Sequence, residues 1–146
     1  MKYKIMVFLA ILSTLVAGCH VVPAGYSISR KSASPKILPG FGGITGVVTQ
    51  GNDSQPLEAK SVHLAAVFRG DNTAAYIYDA ANSPSTVTDE NGGFSFSSIP
   101  SGEYVIVLGD QMSSPQIVSD DQGKARVWII QPDQITSTDQ IEFVKE

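Results

Sequence analysis

An antiparallel β-sandwich of about seven to nine short strands is the fold this sequence predicts. Three observations predict it. Short runs rich in Val, Ile, Tyr, Phe and Thr recur along the last hundred residues. Gly, Pro, Asn, Asp and Ser punctuate them at brief intervals. No stretch there sustains the 3.6-residue apolar period of a helix.

The strand signals fall in order along the chain. Ile44–Thr49 opens the set, and Ser61–Phe68 follows with a β-branched and aromatic run. Ala74–Tyr78 and Ser85–Thr88 are shorter. Gly93–Ser97 alternates cleanly, which places Phe94 and Phe96 on one face. Glu103–Leu108 is apolar at nearly every position, the pattern of a central strand covered on both sides. Gln116–Val118, Ala125–Ile130 and Gln140–Val144 complete the series. Asp89-Glu90-Asn91-Gly92 forms a tight turn, because Asn and Gly accept positive φ. Gly102, closing Pro100-Ser101-Gly102, is expected in a left-handed conformation.

The N-terminal region is built differently. Lys2 and Lys4 precede an apolar run from Ile5 to Val16, and the small residues Ala17 and Gly18 lead into Cys19, the single cysteine. A basic start, a short apolar core and small residues at the cut are the parts of a secretion signal. The core is shorter than the roughly 20 apolar residues a spanning helix needs. Leu15-Val16-Ala17-Gly18-Cys19 resembles the bacterial lipobox, with Val16 in place of the commoner leucine. That resemblance implies cleavage before Cys19, a diacylglycerol on its sulfur, and a partner in the lipid bilayer through the acylated cysteine. One acyl chain anchors only marginally, at about 0.8 kcal/mol per methylene, whereas two or three hold firmly. His20 stands where an aspartate retains such proteins in the inner membrane of enteric bacteria, so the outer membrane of a diderm cell is the expected location. With no second cysteine, a disulfide framework is excluded.

Three segments follow from this reading: residues 1–18 as signal peptide, 19–43 as lipidated cysteine and tether, and 44–146 as the folded domain. The tether contains Pro23, Pro35 and Pro39 among serines and glycines. As a random coil it reaches about 25–30 Å. It carries Arg30, Lys31 and Lys36 without an acid, whereas residues 44–146 hold five basic residues and all fourteen acidic ones, a formal charge of −9. Membrane headgroups attract such a tether and repel such a domain, and the acidic balance argues against nucleic acid as a partner.

Ile44-Thr45-Gly46-Val47-Val48, Gln55–Leu64 and Thr88–Val107 together resemble the carboxypeptidase regulatory-like domain, a prealbumin-like (transthyretin-like) β-sandwich. Asp89-Glu90-Asn91-Gly92-Gly93-Phe94 and Ile99-Pro100-Ser101-Gly102-Glu103-Tyr104 carry the likeness. The resemblance implies that Tyr104, Ile106 and Leu108 fill the core against Phe94 and Phe96. It also implies a module without chemistry of its own. The chain departs from the family between Ala59 and Val62, where an extra residue calls for a β-bulge.

Catalytic and metal sites find little support in the residues. A hydroxyisourate hydrolase of this fold needs several histidines, and the chain after Cys19 has only His20 and His63. His63, between Val62 and Leu64, is expected to face solvent. Two distant histidines and a lipidated cysteine do not make a zinc site, so no cofactor is expected. Asp89–Gly93 lacks the full calcium-loop pattern and its distal glutamate. The lysine and asparagine of a pilin-type isopeptide crosslink are missing from the first and last strands.

Four residues stand as binding candidates. Arg69 and Asp71 flank Gly70 as the integrin-recognition tripeptide, though a given tripeptide arises by chance in about a few per cent of chains this long. Tyr76 and Tyr78 fall on one strand face, a platform for a sugar ring if exposed, whereas Trp128 reads as core. The sequence therefore leads to a lipid-anchored envelope protein presenting a non-catalytic binding or structural module to an envelope protein or glycan. Peptidoglycan or carbohydrate binding, and a hydrolase with an unrecognised site, are the alternatives.

Overall fold

The computed structural model describes residues 36–51, 54–109 and 114–144. All belong to one compact unit, Ala33–Glu146. The signal segment, Cys19 and most of the tether lie outside the described residues. Among those described, no helix is long and apolar enough to cross a membrane.

Ten strands form in chain order: β1 Phe41–Gln50, β2 Gln55–Pro56, β3 Ser61–Arg69, β4 Ala74–Ile77, β5 Ser85–Val87, β6 Gly93–Pro100, β7 Gly102–Leu108, β8 Gln116–Ile117, β9 Val127–Ile130 and β10 Ile135–Phe143. They make two sheets. In the first, β1 is central, with β10 on one side and β6 and β2 sharing the other. In the second, β3 and β7 pair at the centre; β4 and β5 share the outer edge of β3, and β8 and β9 that of β7.

The main core lies between the sheets. Ile44, Val48, Phe94, Phe96, Ile99 and Ile141 of the first sheet belong to one buried cluster with Val62, Leu64, Tyr104, Ile106, Leu108, Trp128 and Ile130 of the second. Alternation supplies this face on β6 and β9, where buried and exposed residues interleave. The expected packing of Tyr104, Ile106 and Leu108 with Phe94 and Phe96 is what the structure contains. β7 is buried on both faces, as its apolar run predicts. Val105 and Val107 form a second small cluster with Ala65, against which Val67, Tyr78, Ile117 and Ala125 pack.

Two bulges set which residues enter the core. Between Gly42–Ile99 and Ile44–Phe96, two residues of β6 oppose one of β1. Ser98 takes φ 58° there. The bulge shifts the alternation by one, so Phe96 and Ile99 both point inward. The second lies between Thr45–Ser137 and Val47–Gln140, where β10 carries the extra residue opposite Gly46. Thr138 and Ile141 thereby both reach the interior.

Several expectations are corrected. The β1–β10 pair is parallel, so the sandwich is antiparallel except there; strand period does not encode direction. β1 begins at Phe41, ahead of residue 44, and β10 at Ile135 rather than Gln140. β2 is an unforeseen strand of two residues that pairs Pro56 with Thr49. The extra residue between Ala59 and Val62 forms no bulge, because β3 pairs with β5 and β7 without a shift of register. Ala59 absorbs it in a left-handed conformation, φ 58°. Gly102 is not among the positive-φ residues, which include Gly92 at 71°. The chain passes at Pro100–Gly102 from one sheet to the other, and Gly102 enters β7 already extended.

Candidate functional site

Arg69 ends β3, and its Nε donates to Glu103 Oε2 on β7 at 2.7 Å. Gly70 N donates to Thr73 O at 2.8 Å, which closes the turn into β4 and leaves Asp71 exposed within it. Among the described residues no ion pair joins Arg69 to Asp71. The two charges of the tripeptide thus have separate surroundings: one is tied to the sheet, the other stands in the turn.

Tyr76 lies opposite Val67 across the β3–β4 pair, so both point to the outer face of the second sheet. Tyr76 is 39% exposed. Tyr78, just beyond β4, is half-buried, and its ring meets His63 edge-on with centroids 5.4 Å apart. The structure therefore leaves one tyrosine ring open and engages the other.

His63 differs from expectation. It does point away from Val62 and Leu64, but that side of the sheet is not open: His63 is only 6% exposed, and neither ring nitrogen has a hydrogen-bond partner among the described residues. Tyr78 packs on it, while Val107 and Ser85 lie opposite on the neighbouring strands. Strand alternation gave the direction of the side chain correctly but carried no information about what covers that face.

The acidic turns spend their carboxylates on their own backbone. Asp89 Oδ1 accepts from the N–H groups of Asn91 and Gly93 at 2.9 and 2.8 Å. Asp120 Oδ1 does the same for Gln122 and Lys124, both at 2.9 Å. Each turn carries a glycine three residues after the aspartate, Gly92 at φ 71° and Gly123 at φ 75°. Asp79 accepts from Asn82 Nδ2 at 2.7 Å and from Ala81 N at 2.9 Å, and these bonds, that of Asn82 foremost, hold its carboxyl below the usual range. These are Asx-type turns. Among the described residues no group of three or more His, Cys, Asp or Glu is placed to hold a metal ion.

Sequence reasoning missed the Glu103 partner of Arg69, which requires the β3–β7 register, and the Asp120 turn, whose Asp-x-x-Gly signal matches that of Asp89. Cys19 lies outside the described residues, so no geometry attaches to it.

No family model matches the chain, and no curated protein matches it by sequence. Solved structures similar to it include a DUF3823 family protein from Bacteroides uniformis, with 16% identity and TM-score 0.43 over 70% of this chain and 42% of that one. GBS52, the minor pilin of Streptococcus agalactiae, has 17% identity and TM-score 0.44 over 77% of this chain and 48% of its own. The 5-hydroxyisourate hydrolase of Klebsiella pneumoniae has 11% identity and TM-score 0.40 over 76% of this chain and 94% of its own. The chain spans less than half the length of the first two. The β-sandwich assignment rests on the strands and core described above.

Proposed function

We propose that this chain is a lipid-anchored protein of the bacterial cell envelope whose β-sandwich serves as a non-catalytic binding or structural module. The observation that carries the reading is Cys19, the only cysteine, closing a basic, apolar and small-residue segment that resembles a lipobox. The prealbumin-like resemblance in Thr88–Val107 supports the module part. The lone histidine of the domain fits it as well. A general base must come within hydrogen-bond reach of the proton it takes, and among the described residues His63, packed under Tyr78, has no hydrogen-bond partner.

An anchor at residue 19 gives the domain a direction. Leu38 N donates to Ser98 Oγ, and Gly40 N to Asp133 Oδ1, where the chain enters β1. Phe41 pairs with Pro100, and the Arg69–Glu103 ion pair lies at the same end of the sandwich. On this reading the Arg69-Gly70-Asp71 turn sits at the tethered end, while the Asp89–Gly92 turn and the end of β10 point away. That placement disfavours the tripeptide as a ligand for another cell. Glycan binding, the second reading, has the open ring of Tyr76 in its favour. Tyr76→Ala would then abolish retention on peptidoglycan or polysaccharide, and unchanged retention would set that reading aside.

The test of the anchor is metabolic labelling with a clickable palmitate. Cys19→Ser should leave an unprocessed precursor without label, and label persisting in that variant would defeat the proposal.

A further inference from the structure

We infer that β4 is a self-association edge through which two copies of this chain pair antiparallel into one continuous sheet. Three observations lead there. β4 closes one edge of the second sheet, and among the described residues only β3 pairs with it. All four of its residues are exposed. Two large apolar side chains stand open beside that edge, Ile77 at 60% and Phe68 at 57%.

Sheet edges normally carry a guard against such pairing, in the form of charge, proline, a bulge or extreme shortness. The others here have one. β10 bears Asp139 and Glu142 and bulges against β1. β2 contains Pro56, β6 ends at Pro100, and Pro84 immediately precedes β5. Pro115 precedes β8, and Arg126 precedes β9. From Asn72 to Tyr78 there is no charge and no proline, and no register shift occurs in the β3–β4 pair. In a domain of formal charge −9, this uncharged strand is where two copies approach with least repulsion.

The sequence of β4 is also complementary to itself. A two-fold axis normal to the sheet keeps the outer faces on the same side, so residues of like orientation must oppose each other. Centring the axis on Tyr76 sets Tyr76 against Tyr76 of the second copy, Ala75 against Ile77, and Ala74 against Tyr78. Ile77 and Tyr78 then each meet an alanine, while the two Tyr76 rings lie side by side on the outer face. Phe68 already lies across from Ala75, so Phe68, Ala75 and Ile77 of the second copy form one apolar row. Asp79 falls opposite Thr73, which avoids a carboxylate pair. An unrelated strand would satisfy the backbone groups equally well but would not account for this matching, and it is therefore a second copy that the edge fits. Because the pairing is short, its buried area is below the roughly 1,600 Å² of a standard interface, and the dimer is a weak one.

The inference holds whether or not the chain is lipidated. The test is disulfide trapping in the full-length gene product, purified in detergent and oxidised mildly. Residues directly opposite in an antiparallel pair have Cα atoms about 4.5–5.5 Å apart, within disulfide range. Tyr76→Cys should give a dimer that neither the parent chain, with Cys19 alone, nor Ala74→Cys forms. Adding Ile77→Lys to Tyr76→Cys should lower its yield about tenfold, equivalent to about 1.4 kcal/mol. No dimer from Tyr76→Cys, equal dimer from Ala74→Cys, indifference to Ile77→Lys, or capture of a different protein would each overturn the inference. Sedimentation of the unsubstituted chain gives an independent reading: a mass rising with concentration is expected, and a monomer at every concentration would overturn it.

Discussion

The hydroxyl of Tyr104 donates to the carbonyl oxygen of Pro100, four residues earlier, at 2.9 Å. The bond spans the corner where the chain leaves β6 in one sheet and begins β7 in the other, so it ties the sheets together at their crossing. Tyr104 is buried and belongs to the main core cluster. Tyr104→Phe keeps the ring and loses the bond, and should cost about 0.5–1.5 kcal/mol in urea denaturation. A variant as stable as the parent would show that the corner does not depend on it.

The same residue yields a pH dependence. Burial raises the phenol above its ordinary value near 10. In the unfolded chain it loses its proton near pH 10, while in the folded chain it keeps it. Above that pH the unfolded state therefore binds fewer protons, and stability falls as pH rises. The contribution is whole below pH 10 and is lost progressively toward the raised folded value. Melting temperatures measured from pH 8 to 11 should show an alkaline decline that is shallower in Tyr104→Phe.

Much of the architecture is legible in the chain. The clean alternation of Gly93–Ser97 and the apolar run Glu103–Leu108 mark β6 and β7 because core burial imposes those patterns directly. Ile135–Asp139 is legible only afterward: it has one apolar residue, and its pairing depends on β1, a partner distant in sequence. Gly102 resembles a turn glycine in its Pro-Ser-Gly setting, yet the left-handed residue is Ser98, on the strand before the corner. The candidate site was less legible. Adjacent letters suggested an Arg69–Asp71 unit, whereas strand register gave Arg69 to Glu103. Likewise the period of two set the direction of His63 but could not reveal Tyr78 above it.

At Gly46 a side chain has no room. A Cβ there would collide with Thr138 Oγ1 and lie 2.7 Å from Phe94 Cε1. Both neighbours are held in place, Thr138 by the β10 bulge and Phe94 by the core. Gly46→Ala is therefore expected to cost about 1–3 kcal/mol through overpacking. At Gly102 the same substitution meets Tyr104 Cε2 at an ordinary 3.5 Å, so Gly102→Ala should be milder. Equal effects in thermal melts would contradict this contrast.

Ile106 measures the core itself. It is fully buried at the middle of β7, opposite Leu64 on β3. Ile106→Ala removes buried apolar atoms and leaves a cavity that a paired central strand cannot close, so the expected loss is about 2–5 kcal/mol. A loss under about 0.5 kcal/mol, typical of surface substitutions, would place Ile106 outside the core.

Thr138 offers a test with the opposite sign. Its side chain is buried on the inner side of the β10 bulge, and its hydroxyl has no hydrogen-bond partner among the described residues. An unpaired buried hydroxyl costs about 1–3 kcal/mol relative to an apolar group in the same place. Valine has nearly the same shape, shares the β-branched preference for strands, and brings no polar atom. Thr138→Val is expected to raise the urea midpoint without changing the slope of the transition, the signature of a pure gain in stability. Thr138→Ser keeps the hydroxyl and loses the methyl group, and should lower the midpoint. If valine destabilised the domain while serine did not, the hydroxyl would have to be bonded in solution, and the bulge would be organised around that bond rather than around the packing of Ile141.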